Sequence, residues 1–200
     1  MPEFRPPSAA CPASCYPVRQ AHHDMSGLDR FKRAQDDPNA GFEPALEEIR
    51  SGRKRGHWIW YVFPQLDGLG MSSMARAYGI DGEREAVAYL RDPQLRERLL
   101  SISRAVEEQL ATDSAAGKGP ALRLSTLMGS EIDARKLVSS LTLFAEIAKR
   151  LAASARVESE DAGETEEYAA MASTVDRILT IASSQGYPRC DFTLRHLQRA

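Results

Sequence analysis

The sequence predicts an all-α protein: a compact single-domain helical bundle of about seven to eight helices behind a disordered N-terminal tail. Three observations carry this expectation. Apolar residues recur every three or four positions, as in Leu95, Leu99, Ile102, Val106 and Leu110. Helix starts and stops punctuate the runs, with Asp92–Pro93 and Ser130 at starts and Gly186 at a stop. No segment shows the period-two alternation, bounded by hairpin turns, that marks strands.

Taken in order, residues 1–25 are rich in Pro, Ala and Ser and read as the tail. Met25, which opens "MSGLDRFKRAQ", is a candidate start of the functional chain. Leu28, Phe31 and Ala34 share a face in a short first helix, which "DDPNAGF" ends. A second helix, roughly 42 to 51, turns Phe42, Ala45, Leu46 and Ile49 to one side and stops at Gly52. The basic turn "RKRG" follows. "SSMARAYGI" and "GEREAVAYLRD" read as two short helices. Pro93, in the first turn of the next and capped by Asp92, begins the strongly patterned one. "TDSAAGKGP" reads as a flexible loop.

From about 130 to 152 the pattern is richest. "SEID" is a capping-box-like start with aspartate in place of the usual glutamate. Arg135, Ser139, Thr142, Glu146 and Lys149 are expected towards solvent, with Leu137, Leu141, Phe144, Ala148 and Leu151 towards the core. Asp133, Lys136 and Ser140 fall on one stripe at the core's edge, where polar groups need partners. The acidic stretch 155–166 is expected as a mobile connection inside the 26–200 domain. A helix from about 164 to 185 and a last one capped by Asp191 complete the chain.

Composition narrows the function classes. The chain has 200 residues, 42% of them hydrophobic and 27% charged, which suits a single globular domain. With 26 basic and 28 acidic residues its net charge is -2, which argues against duplex nucleic acid or an anionic membrane as a bulk partner. No apolar run has the length of a membrane span, and the N-terminus lacks the apolar core of a secretory signal. Cys11, Cys15 and Cys190 are too few and scattered for a disulfide framework, so a reducing, cytoplasmic location is expected. Cys11 and Cys15 with His22 and His23 read as incidental thiols and imidazoles of the tail. Neither a metal site nor a cofactor is expected.

The passage "GHWIWYVFPQLDGLGMSSMARAYGI" at 56–80 holds the other candidate residues. Trp58 to Phe63 is apolar all round, so both faces should be buried, and core packing alone explains that. His57 can be a general acid or base, or can hydrogen-bond and seat the tryptophans. Gln65 offers an amide where the chain turns. Gly68, Gly70 and Ser72 lead into a helix start that is either an anion cradle or an ordinary capped turn. Asp133, Lys136 and Ser140 form either a functional cluster or a cap, an ion pair and a small residue at a helix crossing.

This passage, with "EAVAYLRDPQLRERL" after it and "DARKLVSSLTLF" at 133–144, resembles Domain of Unknown Function family 1810. "DFTLRHL" looks like that family's closing D-x-x-T-L element, one residue tighter. The resemblance spans roughly residues 28–197. It implies a compact, mostly helical fold and no established activity. The calpastatin-like label given to some such proteins does not suit a chain lacking the disordered repeats of that inhibitor.

These readings lead to one expected pocket. Trp58, Trp60, Gln65 and His57 form its wall, Gly68, Gly70 and Ser72 its rim, and Asp133, Lys136 and Ser140 its floor. The expected ligand is polar or anionic, with a nucleotide-type molecule favoured, and His57 or Asp133 is the base if a hydrolase or transferase reaction follows. The rival is a noncatalytic protein-interaction module whose aromatic cluster is purely structural. Nucleic-acid binding through "RSGRKRGHW" is the least favoured reading.

Overall fold

The computed structural model describes residues 27–111, 122–158 and 162–199. The tail and the 112–120 loop expected from the sequence lie outside these residues. Among the described residues there are ten helices and no strand. They are α1 (Asp29–Gln35), α2 (Phe42–Arg50), α3 (Ile59–Val62), α4 (Ser73–Ala77) and α5 (Gly82–Arg91), then α6 (Pro93–Ala111), α7 (Leu124–Leu127), α8 (Glu131–Glu158), α9 (Ala162–Ser184) and α10 (Asp191–Arg199). The excess over the expected seven to eight comes from α3 and α7, four residues each.

Helix boundaries follow side-chain chemistry. Asp92 Oδ1 accepts the Leu95 N–H at 3.1 Å and starts α6. Ser130 Oγ takes the Asp133 N–H at 3.0 Å and starts α8. At the end of α9, Gly186 adopts φ +92°, Tyr187 N–H bonds the Ala182 carbonyl at 3.0 Å and Gly186 N–H bonds that of Ser183 at 3.1 Å. This paired closure satisfies carbonyls that the helix end would otherwise strand.

The long helices α8 and α9 pack along each other and form the spine. Helix α6 lies on α9 and α2, while α5 and α10 lie on α8. The α8 face is wider than expected: Ser139 and Thr142, placed towards solvent by the helical wheel, are buried at 4% and 0% exposure. Their small side chains accept this because α10 packs there, and Thr142 Oγ1 donates back to the Val138 carbonyl at 2.7 Å. The acidic stretch 155–166 is also shorter as a connection than expected. Helix α8 runs to Glu158 and α9 begins at Ala162, because antiparallel pairing extends both helices beyond what their apolar pattern marks.

Around the spine an aromatic layer fixes the smaller helices. Tyr89 of α5 is wholly buried, edge-on to Phe31 at 5.3 Å and 4.9 Å from Phe144 of α8. Gln35 Nε2 donates to the Tyr89 hydroxyl and to the Tyr61 carbonyl, joining α1, α3 and α5. Arg30 forks onto both oxygens of Glu85 at 2.5 and 2.6 Å and clamps α1 to α5. Residues 65–67 run beside Ile80 in an isolated parallel bridge, with Ile80 N–H on the Gln65 carbonyl at 2.8 Å.

Candidate functional site

The turn 53–57 is built from outside itself. Glu48 on α2 accepts the N–H groups of Arg55 at 2.7 Å and Gly56 at 2.9 Å, and the indole N–H of Trp58 at 2.7 Å. Burial works to raise the Glu48 carboxyl, but these donors and the Lys54 charge outweigh it and hold it below the usual carboxylate range. Lys54 N–H bonds the Leu127 carbonyl at 2.7 Å, which sews the turn to α7.

A lysine beside Arg53 and Arg55 in a basic turn is ordinarily solvated, but Lys54 is not. It is 7% exposed. Its Nζ donates to the Gly56 carbonyl at 2.6 Å and lies 2.6 Å from Asp133 Oδ2. The other Asp133 oxygen accepts from Lys136 Nζ at 3.0 Å, and that ammonium stands 4.2 Å over the centre of the Trp60 ring. Burial would raise the Asp133 carboxyl, but hydrogen bonds and charge from Lys54 and Lys136 keep it low. One carboxylate, Asp133, thus serves two ammonium groups at the foot of α8, and the Lys54 charge also acts on Glu48. Arg53, Arg55, His57 and Arg135 are exposed along the same two segments, 53–57 and 133–136.

Of the expected floor and wall, the structure brings Lys136 over Trp60, with Asp133 held to Lys136. Trp58 is 1% exposed and faces the core, with its indole N–H spent on Glu48, so no ligand can lie on it. Trp60 is half-buried and His57 is exposed. Gln65 is half-buried and takes part in the Ile80 bridge through its backbone. Ser140 is wholly buried, one turn further into the core than Lys136, and its hydroxyl has no hydrogen-bond partner among the described residues.

The expected rim behaves differently. Ser72 caps α4 by accepting the Ala75 N–H at 3.1 Å, and α4 is only five residues long. Gly70 lies against the Ala75 methyl, and Gly68 lies beside the Phe192 ring of α10. This is a capped turn packed on itself and on α10 rather than an anion cradle. Its helix is too short to present a useful dipole.

Glu48 was not singled out from the sequence, and Lys54 was read only as one of three basic residues in a turn. Their partners lie on other segments, so no local pattern announces them. A groove of about 1410 Å³ lies elsewhere, between α5, Leu28, Pro93 and His196. No group of three or more His, Cys, Asp or Glu among the described residues is arranged to hold a metal ion. No helix among them is long and apolar enough to cross a membrane.

A family model described as "Protein of unknown function (DUF1810)" matches residues 25–170. The chain belongs to this family. The match takes in the 56–80 passage and the Lys54–Asp133–Lys136 cluster, and it ends before the "DFTLRHL" element. Among solved structures, the conserved hypothetical protein Rv1873 from Mycobacterium tuberculosis is similar at 32% identity, with a TM-score of 0.59. The similarity covers 86% of this chain and 96% of that one. No curated protein matches the sequence.

Proposed function

We propose that this DUF1810 member binds a small anionic molecule in the cytoplasm, a nucleotide-type ligand being favoured, on the shelf where Lys136 lies over Trp60. The observation that carries this reading is the shared carboxylate. An ammonium has three donors, and Lys136 spends one on Asp133, which Lys54 already neutralises. Its remaining donors suit a phosphate or carboxylate. The uncovered part of Trp60 suits a planar ring. The reading favours binding over chemistry at Asp133, because a carboxylate engaged on both oxygens and held at low pKa is a weak base. If the shelf supports a hydrolase or transferase step, His57 is the base to test, since it stands exposed beside the turn.

The test is a thermal-shift series with nucleotides, nucleotide sugars, dinucleotides and inorganic phosphate at fixed ionic strength. A ligand that binds only the folded chain raises Tm by mass action. The reading expects a shift for at least one phosphate-bearing compound that is lost in Lys136→Ala and in Trp60→Ala. No shift across the series, or a shift that survives both substitutions, would overturn it.

A second reading, a noncatalytic interaction module, is favoured by one feature. Ile132, immediately before Asp133 on the first turn of α8, is 67% exposed. Capture of a defined protein by the native chain but not by Ile132→Glu, with no ligand shift, would favour that reading instead.

A further inference from the structure

The surface around Lys136 and Trp60 extends further than a mononucleotide would use. In the sequence the basic turn stands by itself, and the fold sets it against the start of α8 through Lys54 on Asp133. Lys54 is buried, while Arg53 and Arg55 on either side of it are exposed. Neither guanidinium is held by a hydrogen bond or an ion pair among the described residues. Arg135, next to Lys136, is exposed as well. Segments 53–57 and 131–136 together hold five lysines and arginines against Glu131 and Asp133, and Glu48 reaches into the turn as a third carboxylate. All three carboxylates are engaged. Asp133 serves two lysines, Glu48 holds the turn and the Trp58 indole, and Glu131 accepts the Tyr187 hydroxyl at 2.6 Å with the Arg135 charge nearby.

An apolar residue sits among these cations. Ile132 precedes Arg135 by three positions and Lys136 by four, so it adjoins both on one side of α8. It is 67% exposed. Since the Lys136 ammonium stands over Trp60, an aromatic ring, a cation and an exposed aliphatic side chain follow one another across the surface. A mononucleotide on Trp60 and Lys136 leaves Ile132 and the three arginines unused. A single strand uses them all, because its bases have apolar faces for Trp60 and Ile132 and its successive phosphates suit the lysine and the arginine forks. A base paired within a duplex has no free face to lay on Trp60.

We infer that this surface binds single-stranded nucleic acid, with one base on Trp60, a neighbouring base against Ile132, and the phosphates along Arg53, Arg55, Arg135 and Lys136. The inference rests on the anion shelf proposed above and lengthens its ligand from one nucleotide to a short strand.

The experiment titrates end-labelled hexamers of uridylate and of thymidylate with the full chain at several salt concentrations, read by fluorescence anisotropy. Adenosine monophosphate is measured alongside through the Trp60 indole signal. At least one hexamer should bind about tenfold more tightly than the mononucleotide, as one further stacked base supplies, and the tighter hexamer identifies the strand as RNA or DNA. Replacing Arg53, Arg55 and Arg135 together with alanine should bring the hexamer down towards the mononucleotide and flatten the slope of log K against log salt by about 2. All three are exposed, so this variant should keep the native Tm. Ile132→Ser should weaken the hexamer severalfold. Hexamers no tighter than a mononucleotide that still shifts Trp60 overturn the strand and leave the shelf standing, whereas failure of both ligands overturns the shelf too. A salt slope unmoved by the triple substitution, or polyglutamate binding as tightly as the hexamers, also overturns the inference.

Discussion

Glu48 carries more of the site than any residue the sequence makes conspicuous. It closes the 53–57 turn and pins the only fully buried indole, so Glu48→Ala should cost about 2 kcal/mol, by stranding a buried indole N–H and two backbone donors. Urea unfolding checks this, and a loss under about 0.5 kcal/mol would mean the turn holds by other means. Asp133→Ala should cost about 3 kcal/mol, because it leaves the Lys54 ammonium buried beside a single carbonyl. Asp133 was legible in the sequence as a polar residue at a core edge. Glu48 and Lys54 were not, since a glutamate on a polar helix face and a lysine in "RSGRKRGHW" look solvated until the tertiary fold joins α2, the turn and α8.

Among the elements, the α7–α8 junction matters most to the site. Gly129 has φ +75°, and a Cβ there would stand 2.8 Å from the Lys54 carbonyl. Gly129→Ala should therefore cost about 2 kcal/mol and disturb the turn, whereas Gly186→Ala, with similar φ but open space, should cost about 1 kcal/mol. Equal losses in the two variants would contradict the close approach. The long helices were legible because period and caps agreed, as at Asp92 and Ser130. The single turns α3 and α7 were not, because four residues are too few to show a helical period. The length of α8 was missed for the opposite reason: pairing with α9 carries the helix past its apolar pattern into acidic sequence.

For the whole molecule, acid is the informative variable. Glu48, Glu85, Asp92, Asp133 and Asp176 all have folded-state pKa values below their ordinary ones, with donors or cations outweighing burial in each. A depressed carboxylate stabilises the fold above its unfolded value and loses that contribution as pH falls through its folded value. The urea midpoint should hold near neutrality and fall steadily below about pH 4. A flat midpoint down to about pH 3 would contradict these pairings. Most of the all-α architecture follows from sequence period. The joining of 53–57 to 133–136 is a property of the assembled bundle, and it separates the two tryptophans into a core residue and a shelf residue. The chain has two tryptophans, so their indole N–H groups give two resolvable NMR signals. The most direct measurement is a titration of ¹⁵N-labelled chain with adenosine monophosphate and, separately, inorganic phosphate. The expected result is a saturable shift of Trp60 that is absent in Lys136→Ala, with Trp58, locked on Glu48, left in place. Two unmoved indoles, or a response at Trp58 in place of Trp60, would contradict an anion shelf at Lys136.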